Sequence, residues 1–455
     1  MIQPDSELIQ KYNKQGPRYT SYPTAVQFEP VNHKKTWDYL SKELIEPKKL
    51  SLYVHLPFCQ SLCWYCGCTT VISKNPDVSR VYLDSLKKEI QKTAQLVHAD
   101  SKVYQLHFGG GTPTFLREQE LVELTETLKK FFVFDEKAEI SIEIDPRTVS
   151  HSQIKALAKV GFNRASIGVQ DVNSDVQKAI HRIQSMEQNI QTMEWLRTEG
   201  FESINIDLIY GLPKQTPTLF KNTLDILEFL DPDRIALYSY AHIPWIKPAQ
   251  KLIKDEDLPE PAAKIVMLQM AMKQLQEKGF DFIGMDHFAK PDDELALARK
   301  KGTLHRNFQG YSTHADLDML SFGMSGISFV GSSFLQRHRI VQQWSKGVEE
   351  FGSTFEKGYF LTKDDHIRRD VIMKIMCAQN VVWSDISEQY GISIKTYFRK
   401  ELKNLAPFVI DGLISVNDDG ITITENGRFF VRNIAMVFDA YLKKRKKEFV
   451  FSKTV

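Results

Sequence analysis

The sequence predicts an α/β protein. A partial (βα)6 barrel, open on one side, follows an N-terminal extension and precedes a mainly helical, winged-helix-like C-terminal domain. Three observations point there. Between residues 51 and 245, six short β-rich runs alternate with amphipathic helical stretches, the pattern of a parallel sheet with right-handed crossovers. Four of the five cysteines fall within ten residues just behind the first run, at the end of the sheet where such barrels collect function. Beyond residue 360, helices surround one short hairpin.

The 455 residues suffice for two or three domains, or for one large barrel with extensions. With 42% hydrophobic and 25% charged residues and a formal net charge of +2, nothing calls for a nucleic-acid or membrane partner. The opening MIQPDSELIQKYNKQ has no apolar core of a signal peptide. The most apolar-looking stretch, 319–331, falls well short of the ~20 residues of a spanning helix and is interrupted by Gly and Ser. A cytoplasmic protein without a membrane span is expected.

Residues 1–50 read as the extension. In GPRYTSYPTA (16–25) two prolines favour extended chain over helix. Arg18, Tyr19 and Tyr22 crowd together as a linker seldom would, so this segment is expected to pack over the active site.

The barrel and its substrate-site extension are assigned to 51–335. Its strands are expected at 51–55, 103–108, 139–144, 164–168, 203–209 and 234–240, with helices at 81–98, 118–132, 153–160, 176–200 and 218–230. The cysteine loop reads C-x3-C-x2-C-x-C, from Cys59 through Cys63 and Cys66 to Cys68. Crowded thiolates suit zinc or an iron–sulfur cluster. Zinc knuckles usually bring a second ligand pair, which the sequence lacks. Disulfides fit poorly in a large, core-rich chain without a secretory signal. After the second strand, Gly109-Gly110-Gly111-Thr112 lets backbone come close to a ligand. The third strand ends in Glu143 and Asp145, the fourth in Gln170 and Asp171, the fifth in Asp207. Singly, each is as readily a helix cap; on three successive strands at one end of a sheet, they favour a site.

From 246 to 335 a helix is expected at 262–278 and a strand running into a turn at 279–288. The loop HRNFQGYSTHAD (305–316) suits an anionic, partly aromatic ligand. His287, His305 and His314 lack the i,i+4 spacing of a helical metal pair, so hydrogen-bonding roles are expected. In the C-terminal domain, 360–455, helices at 364–377 and 393–405 precede a hairpin at 413–424 that turns at Asp419-Gly420. A helix at 425–447 then ends in KKRKK. Residues 384–402 could pass for a helix-turn-helix, but interleaved acidic residues argue for a packing domain over a DNA reader. Cys377 reads as a buried thiol.

The C-x3-C-x2-C triplet resembles that of the radical S-adenosylmethionine (SAM) enzymes. Three thiolates on a four-iron cube leave one iron open to the amino and carboxylate groups of SAM. More widely, GPRYTSYPTA, LYVHLPFCQSLCWYCGC, HFGGGTPT, EISIEIDP, GVQD, NIDLIYGLPKQT, GMDHFAKPDDEL and HRNFQGY together resemble the oxygen-independent coproporphyrinogen III oxidases, from about residue 10 to the C-terminus. Heme-chaperone relatives on the same barrel typically lack Cys68 and the GPRYTSYPT extension; a chaperone without decarboxylase activity is the alternative. The resemblance implies anaerobic oxidative decarboxylation of two propionates of coproporphyrinogen III to vinyl groups, giving protoporphyrinogen IX in heme biosynthesis. It implies one [4Fe–4S] cluster on Cys59, Cys63 and Cys66, with Cys68 a non-ligand near the active site. It places one SAM against Tyr53, Tyr65, Gly110, Glu143 and Ile327, and a second against Gly111, Thr112, Gln170, Arg182, Asp207 and Ala241. An external electron donor and acceptor, a tetrapyrrole substrate and a monomeric chain are expected with it. Tyr65 stands where the family would have phenylalanine, and Thr69 where it would have asparagine. Arg18 and Arg306 are candidates for the substrate carboxylates by charge and location.

Overall fold

The computed structural model describes residues 5–315, 317–442, 451 and 454. Its centre is six parallel strands, hydrogen-bonded in chain order: β1 (Lys49–Leu56), β2 (Lys102–Gly110), β3 (Val133–Ile144), β4 (Arg164–Gln170), β5 (Ser203–Tyr210) and β6 (Arg234–Ser239). Alternation along these strands sorts the side chains. On β1, Leu50, Leu52, Val54 and Leu56 are fully buried in the main apolar core, which the flanking helices share. The intervening Tyr53 and His55 face the polar positions of β2 and β3, so the inner face holds His107, Ser141 and Glu143. One face of the sheet builds the core; the other builds a polar interior.

A seventh parallel strand, Asp318–Phe322, pairs with β1 on its free side, with Met319 opposite Ser51. Nothing in its apolar run distinguished it from a core segment, and the expected barrel lacked it. Antiparallel strands continue that edge through Ile327–Val330, Ser333–Gln336 and Lys357–Phe360 to Glu29–Pro30. At the other edge, the expected strand at 279–288 is a hairpin, Asp281–Gly284 and His287–Ala289, paired to β6. The sheet therefore ends at two different edges and does not close. A buried ion pair ties the added strands to the barrel. Glu89, on helix Val78–Ala94, meets Arg337 at 2.6 Å and accepts from Trp344 Nε1 and the Gly323 amide.

The single helix expected at 176–200 is two, Ser174–Ala179 and Met186–Thr198. Ser185 and Gln188 form a capping box that starts the second. His181, with φ of 54°, turns the chain between them. This break lets Arg182 leave the helix path. The stretch at 218–230 likewise divides into Pro217–Asp225 and Leu227–Leu230.

The C-terminal domain has its own core, around Ile367, Val371, Phe398, Phe430 and Phe438. Helices Lys363–Met376, Trp383–Tyr390, Ile394–Tyr397 and Arg399–Asn404 accompany a three-stranded sheet of Val381–Val382, Gly420–Ile423 and Ile414–Val416. The hairpin turns one step earlier than expected, because the Asn417 side chain accepts from the amides of Asp419 and Gly420 and Gly420 joins the strand. Instead of one helix over 425–447, the described residues show a 3₁₀ turn at Gly427–Phe430 and the helix Val431–Met436; the KKRKK end lies outside the described residues. Cys377 is buried. The N-terminal extension joins this domain, with Ile9, Tyr12, Tyr19 and Tyr22 in the same core. Among the described residues, no helix is long and apolar enough to cross a membrane.

Candidate active site

The cysteine loop leaves the end of β1 and lies across the carboxyl ends of the strands. The Gly111 amide donates to Leu56 O and the Thr112 amide to Phe58 O, both at 2.8 Å, fastening the end of β2 to the start of the loop. Only glycine permits this approach at 111, where a Cβ would sit 2.5 Å from Pro57 O. Gly110, with φ of 118°, turns its amide to Glu143 Oε2 at 3.0 Å.

Around this seam lies a cavity of about 360 Å3. Cys59, Cys63, Cys66 and Cys68 border it together with Tyr65, Gly110, Gly111, Thr112, Glu143, Gln170, Arg182 and Asp207. Tyr53 sits beneath, its hydroxyl donating to His55 Nδ1 at 3.0 Å and its ring stacked on His107. Two residues named with these stand elsewhere. Ala241 borders a separate cavity, and Gln250 links it to the cysteine loop by donating to the carbonyls of both Tyr65 and Ala241. Ile327 lies on the strand beyond Asp318–Phe322, its carbonyl accepting from Ser321.

The thiols differ in character. Hydrogen bonding from Cys68 lowers the Cys66 thiol to about 6, while burial pushes Cys59 up to about 11. Thr112 Oγ1 donates to the Cys59 sulfur at 3.4 Å, and Arg147 and Arg182 both reach the Cys63 sulfur at 3.6 Å. Among the described residues, no three His, Cys, Asp or Glu groups are arranged to hold a single metal ion. A single ion needs donors converging on one centre, whereas thiolates at the corners of an iron–sulfur cube do not. Three soft donors opening on one roomy cavity fit a cluster.

The carboxylates also divide. Glu143 is held below its ordinary range: burial opposes its charge, but His107 and the Gly110 amide overcome it. Asp207 is raised to about 7, by burial first and Glu143 second, although Asn205 Nδ2 donates to it at 2.9 Å. Asp145 is kept low against burial by Arg182 and Arg147. Asp171 does not join the site. Its side chain accepts from Gln215 and from the Asn173 amide, a structural turn at the end of β4. His55, His107, Arg147 and Tyr238 belong to the site but were not singled out in the sequence. Their signal is the polar alternation within β1, β2 and β6, and an arginine three residues past the end of β3.

Arg18 forms an ion pair with Asp286 and lies over the Tyr238 ring, 5.6 Å from its centroid. Arg306 is buried, lies over Tyr311, and has Nε and Nη1 without partners. It borders a third cavity, beside Lys48, Lys49 and Ser51 at the amino end of β1. His287 stacks edge-on between Tyr238 and Tyr311, while His314 meets Glu139 at 3.3 Å.

Comparison with known proteins decides the family. Over 452 residues the chain is 45% identical to the oxygen-independent coproporphyrinogen III oxidase of Escherichia coli (strain K12), covering 99% of this chain and 98% of the relative. The chain belongs to the oxygen-independent coproporphyrinogen III oxidase family. The Synechocystis oxidase of the same name is 42% identical, over 99% and 98% of the two chains. The solved structure of the Escherichia coli enzyme, described as a radical SAM enzyme, superposes with a TM-score of 0.92 at 44% identity, over 97% of this chain and 99% of that one. The radical SAM superfamily model matches residues 53–227, and the HemN C-terminal domain model matches 361–430. Membership of a radical SAM oxidase family makes the chain an enzyme and implies a [4Fe–4S] cluster and SAM.

Proposed function

We propose that the chain oxidatively decarboxylates two propionate side chains of coproporphyrinogen III to vinyl groups, giving protoporphyrinogen IX without molecular oxygen. The observation that carries this reading is the meeting of Cys59, Cys63 and Cys66 with Gly110, Glu143, Arg182 and Asp207 around one cavity. The relatives' shared name supports the substrate and weighs against the chaperone alternative.

Cys59, Cys63 and Cys66 would hold the cluster, with Cys68 left at the rim as a non-ligand. When bound, the cluster and SAM supply a 5′-deoxyadenosyl radical, strong enough to take an unactivated hydrogen. The protein's work is positioning and exclusion of water. Glu143, kept charged by His107 and the Gly110 amide, suits the N–H groups of the amino group of a SAM beside Gly110, as their acceptor. Tyr53 and Tyr65 would flank that SAM, with Ile327 reaching it from the added strands. A second SAM would take Gly111, Thr112, Gln170, Arg182, Asp207 and Ala241. There the Arg182 guanidinium suits a carboxylate in bidentate fashion. Each propionate would give up one β-hydrogen atom, CO2 and one electron to become a vinyl group; the reducing electron would come from an external donor and the released one would go to an external acceptor. Arg18 and Arg306 are the cations proposed to meet carboxylates of the substrate. A cytoplasmic enzyme fits this chemistry, because an oxygen-sensitive cluster needs a reducing compartment; a monomeric chain is proposed with it.

Anaerobic turnover of the reconstituted chain with SAM, dithionite, an electron acceptor and coproporphyrinogen III tests the reading. Protoporphyrinogen IX should form together with methionine and 5′-deoxyadenosine. Binding of heme with SAM left intact would instead favour the chaperone.

A further inference from the structure

We propose that Arg147 and Arg182 tune the reduction potential of the cluster through the Cys63 sulfur, with Asp145 as the counter-charge that limits them. This rests on the reading of Cys59, Cys63 and Cys66 as cluster ligands. Arg147 lies outside the residues that the family resemblance implicates.

Each of the three ligand sulfurs has a hydrogen-bond donor, but the donors differ. Cys59 accepts from the Thr112 hydroxyl and Cys66 from the Cys68 amide at 3.4 Å. Cys63 accepts from two guanidinium groups, Arg147 Nη2 and Arg182 Nη1, both at 3.6 Å. Reduction adds negative charge to a cluster and its thiolates. Cationic donors stabilise the reduced form more than the oxidised one and raise the potential. The effect is large here because the side chains of Arg182 and Asp145 are only 8% and 9% exposed, away from the screening of water.

Asp145 works against them. Arg147 grips it through Nε and Nη2, at 3.0 and 2.6 Å, and Arg182 through both terminal nitrogens, at 3.2 and 3.3 Å. The three side chains carry a net single positive charge. Removing Arg147 leaves them neutral; neutralising Asp145 leaves two positive charges against Cys63. The two changes should move the potential in opposite directions, which a purely structural role would not do. Arg182 is the poorer probe, since it also holds Gly168 O at 2.7 Å and is proposed to meet SAM. Arg147 borders the main cavity and also a smaller one with Gln60, Ser61 and Thr148, and its guanidinium bonds go to Asp145 and the Cys63 sulfur, so it can be changed with less disturbance.

The test is a redox titration of the reconstituted full chain, followed by the electron paramagnetic resonance of the reduced cluster, with iron and sulfide measured per chain. Arg147→Gln should disfavour reduction by roughly tenfold, which is about 59 mV to more negative potential for a one-electron couple. Arg147→Lys, which keeps the charge, should stay nearer the wild-type midpoint. Asp145→Asn should shift it to more positive potential. Should Arg147→Gln take up no cluster, Asp145→Asn must still lie above both Arg147→Lys and wild type. Midpoints that coincide, or that move together in one direction, would overturn the proposal. A wild-type chain that loads no iron would contradict the ligand reading instead.

Discussion

Arg182 and Asp145 form a buried ion pair, 3.2 Å apart, that joins the loop between two helices to the end of β3. The pair exists because the chain breaks its helix at Ile180 and restarts it at Met186. Arg147 shares the same carboxylate, so Asp145 keeps a partner if Arg182 is lost.

Arg182→Ala should therefore cost less than the ~3–5 kcal/mol typical of breaking a buried pair, about 2 kcal/mol. Urea unfolding of the cluster-free chain measures it. Equilibrium binding should show the number of SAM molecules per reconstituted chain falling from two to one. Two retained sites would remove Arg182 from the second.

Among the described residues, Glu89 and Arg337 have no second ion-pair partner. Burial raises the Glu89 pKa, while Arg337 and the donors from Gly323 and Trp344 counter that rise. Glu89→Ala leaves the Arg337 guanidinium without its carboxylate in a region 1% exposed. A loss of ~3–5 kcal/mol is expected, read as a lower urea midpoint. An unchanged midpoint would mean that the added strands contribute little to the barrel.

Asp207 gives stability a pH dependence. Its carboxyl, raised to about 7, holds a proton in the folded chain where the unfolded chain has already lost it. The stability from this group is fully present below about pH 4 and is lost as pH rises through 7. Asp207→Asn should flatten that decline and gain on the order of 2 kcal/mol at pH 8 relative to wild type. Unfolding of the cluster-free proteins from pH 5 to 8 tests the sign; parallel curves would contradict it.

Cys66 should be the most reactive thiol of the cluster-free loop, because hydrogen bonding from Cys68 lowers it to about 6. Its thiolate predominates above that pH. Cys68→Ala removes the thiol donor and keeps the backbone amide, so alkylation of Cys66 at pH 7 should slow by about tenfold. Mass spectrometry of the alkylated peptides distinguishes this from an unchanged rate, which would mean that Cys68 does not act on Cys66.

Much of the barrel was legible because β-rich runs and amphipathic helices alternate so regularly. All six strands lie where the sequence predicts them, lengthened by a residue or more at most ends. Asp318–Phe322 escaped notice because it is a short apolar run with no crossover helix of its own. The break around His181 was hidden by a continuous amphipathic pattern, although Ser185 and Gln188 carry the capping signal. The thiol loop and the strand-end carboxylates were readable because loops behind strands admit such residues for few other reasons. His55 and His107 were not, since a polar residue in a strand ordinarily marks a solvent face, and here it marks the barrel interior. Asp171 looked like the other strand-end carboxylates; only its contacts with Gln215 and Asn173 separate it.

Hydrogen abstraction from the substrate is the step on which the proposed function stands. Anaerobic turnover with coproporphyrinogen III deuterated at the propionate β-carbons follows it directly. The expected result is one deuterium in 5′-deoxyadenosine for each vinyl group formed. Vinyl products accompanied by unlabelled 5′-deoxyadenosine, or SAM cleavage with the substrate intact, would contradict it.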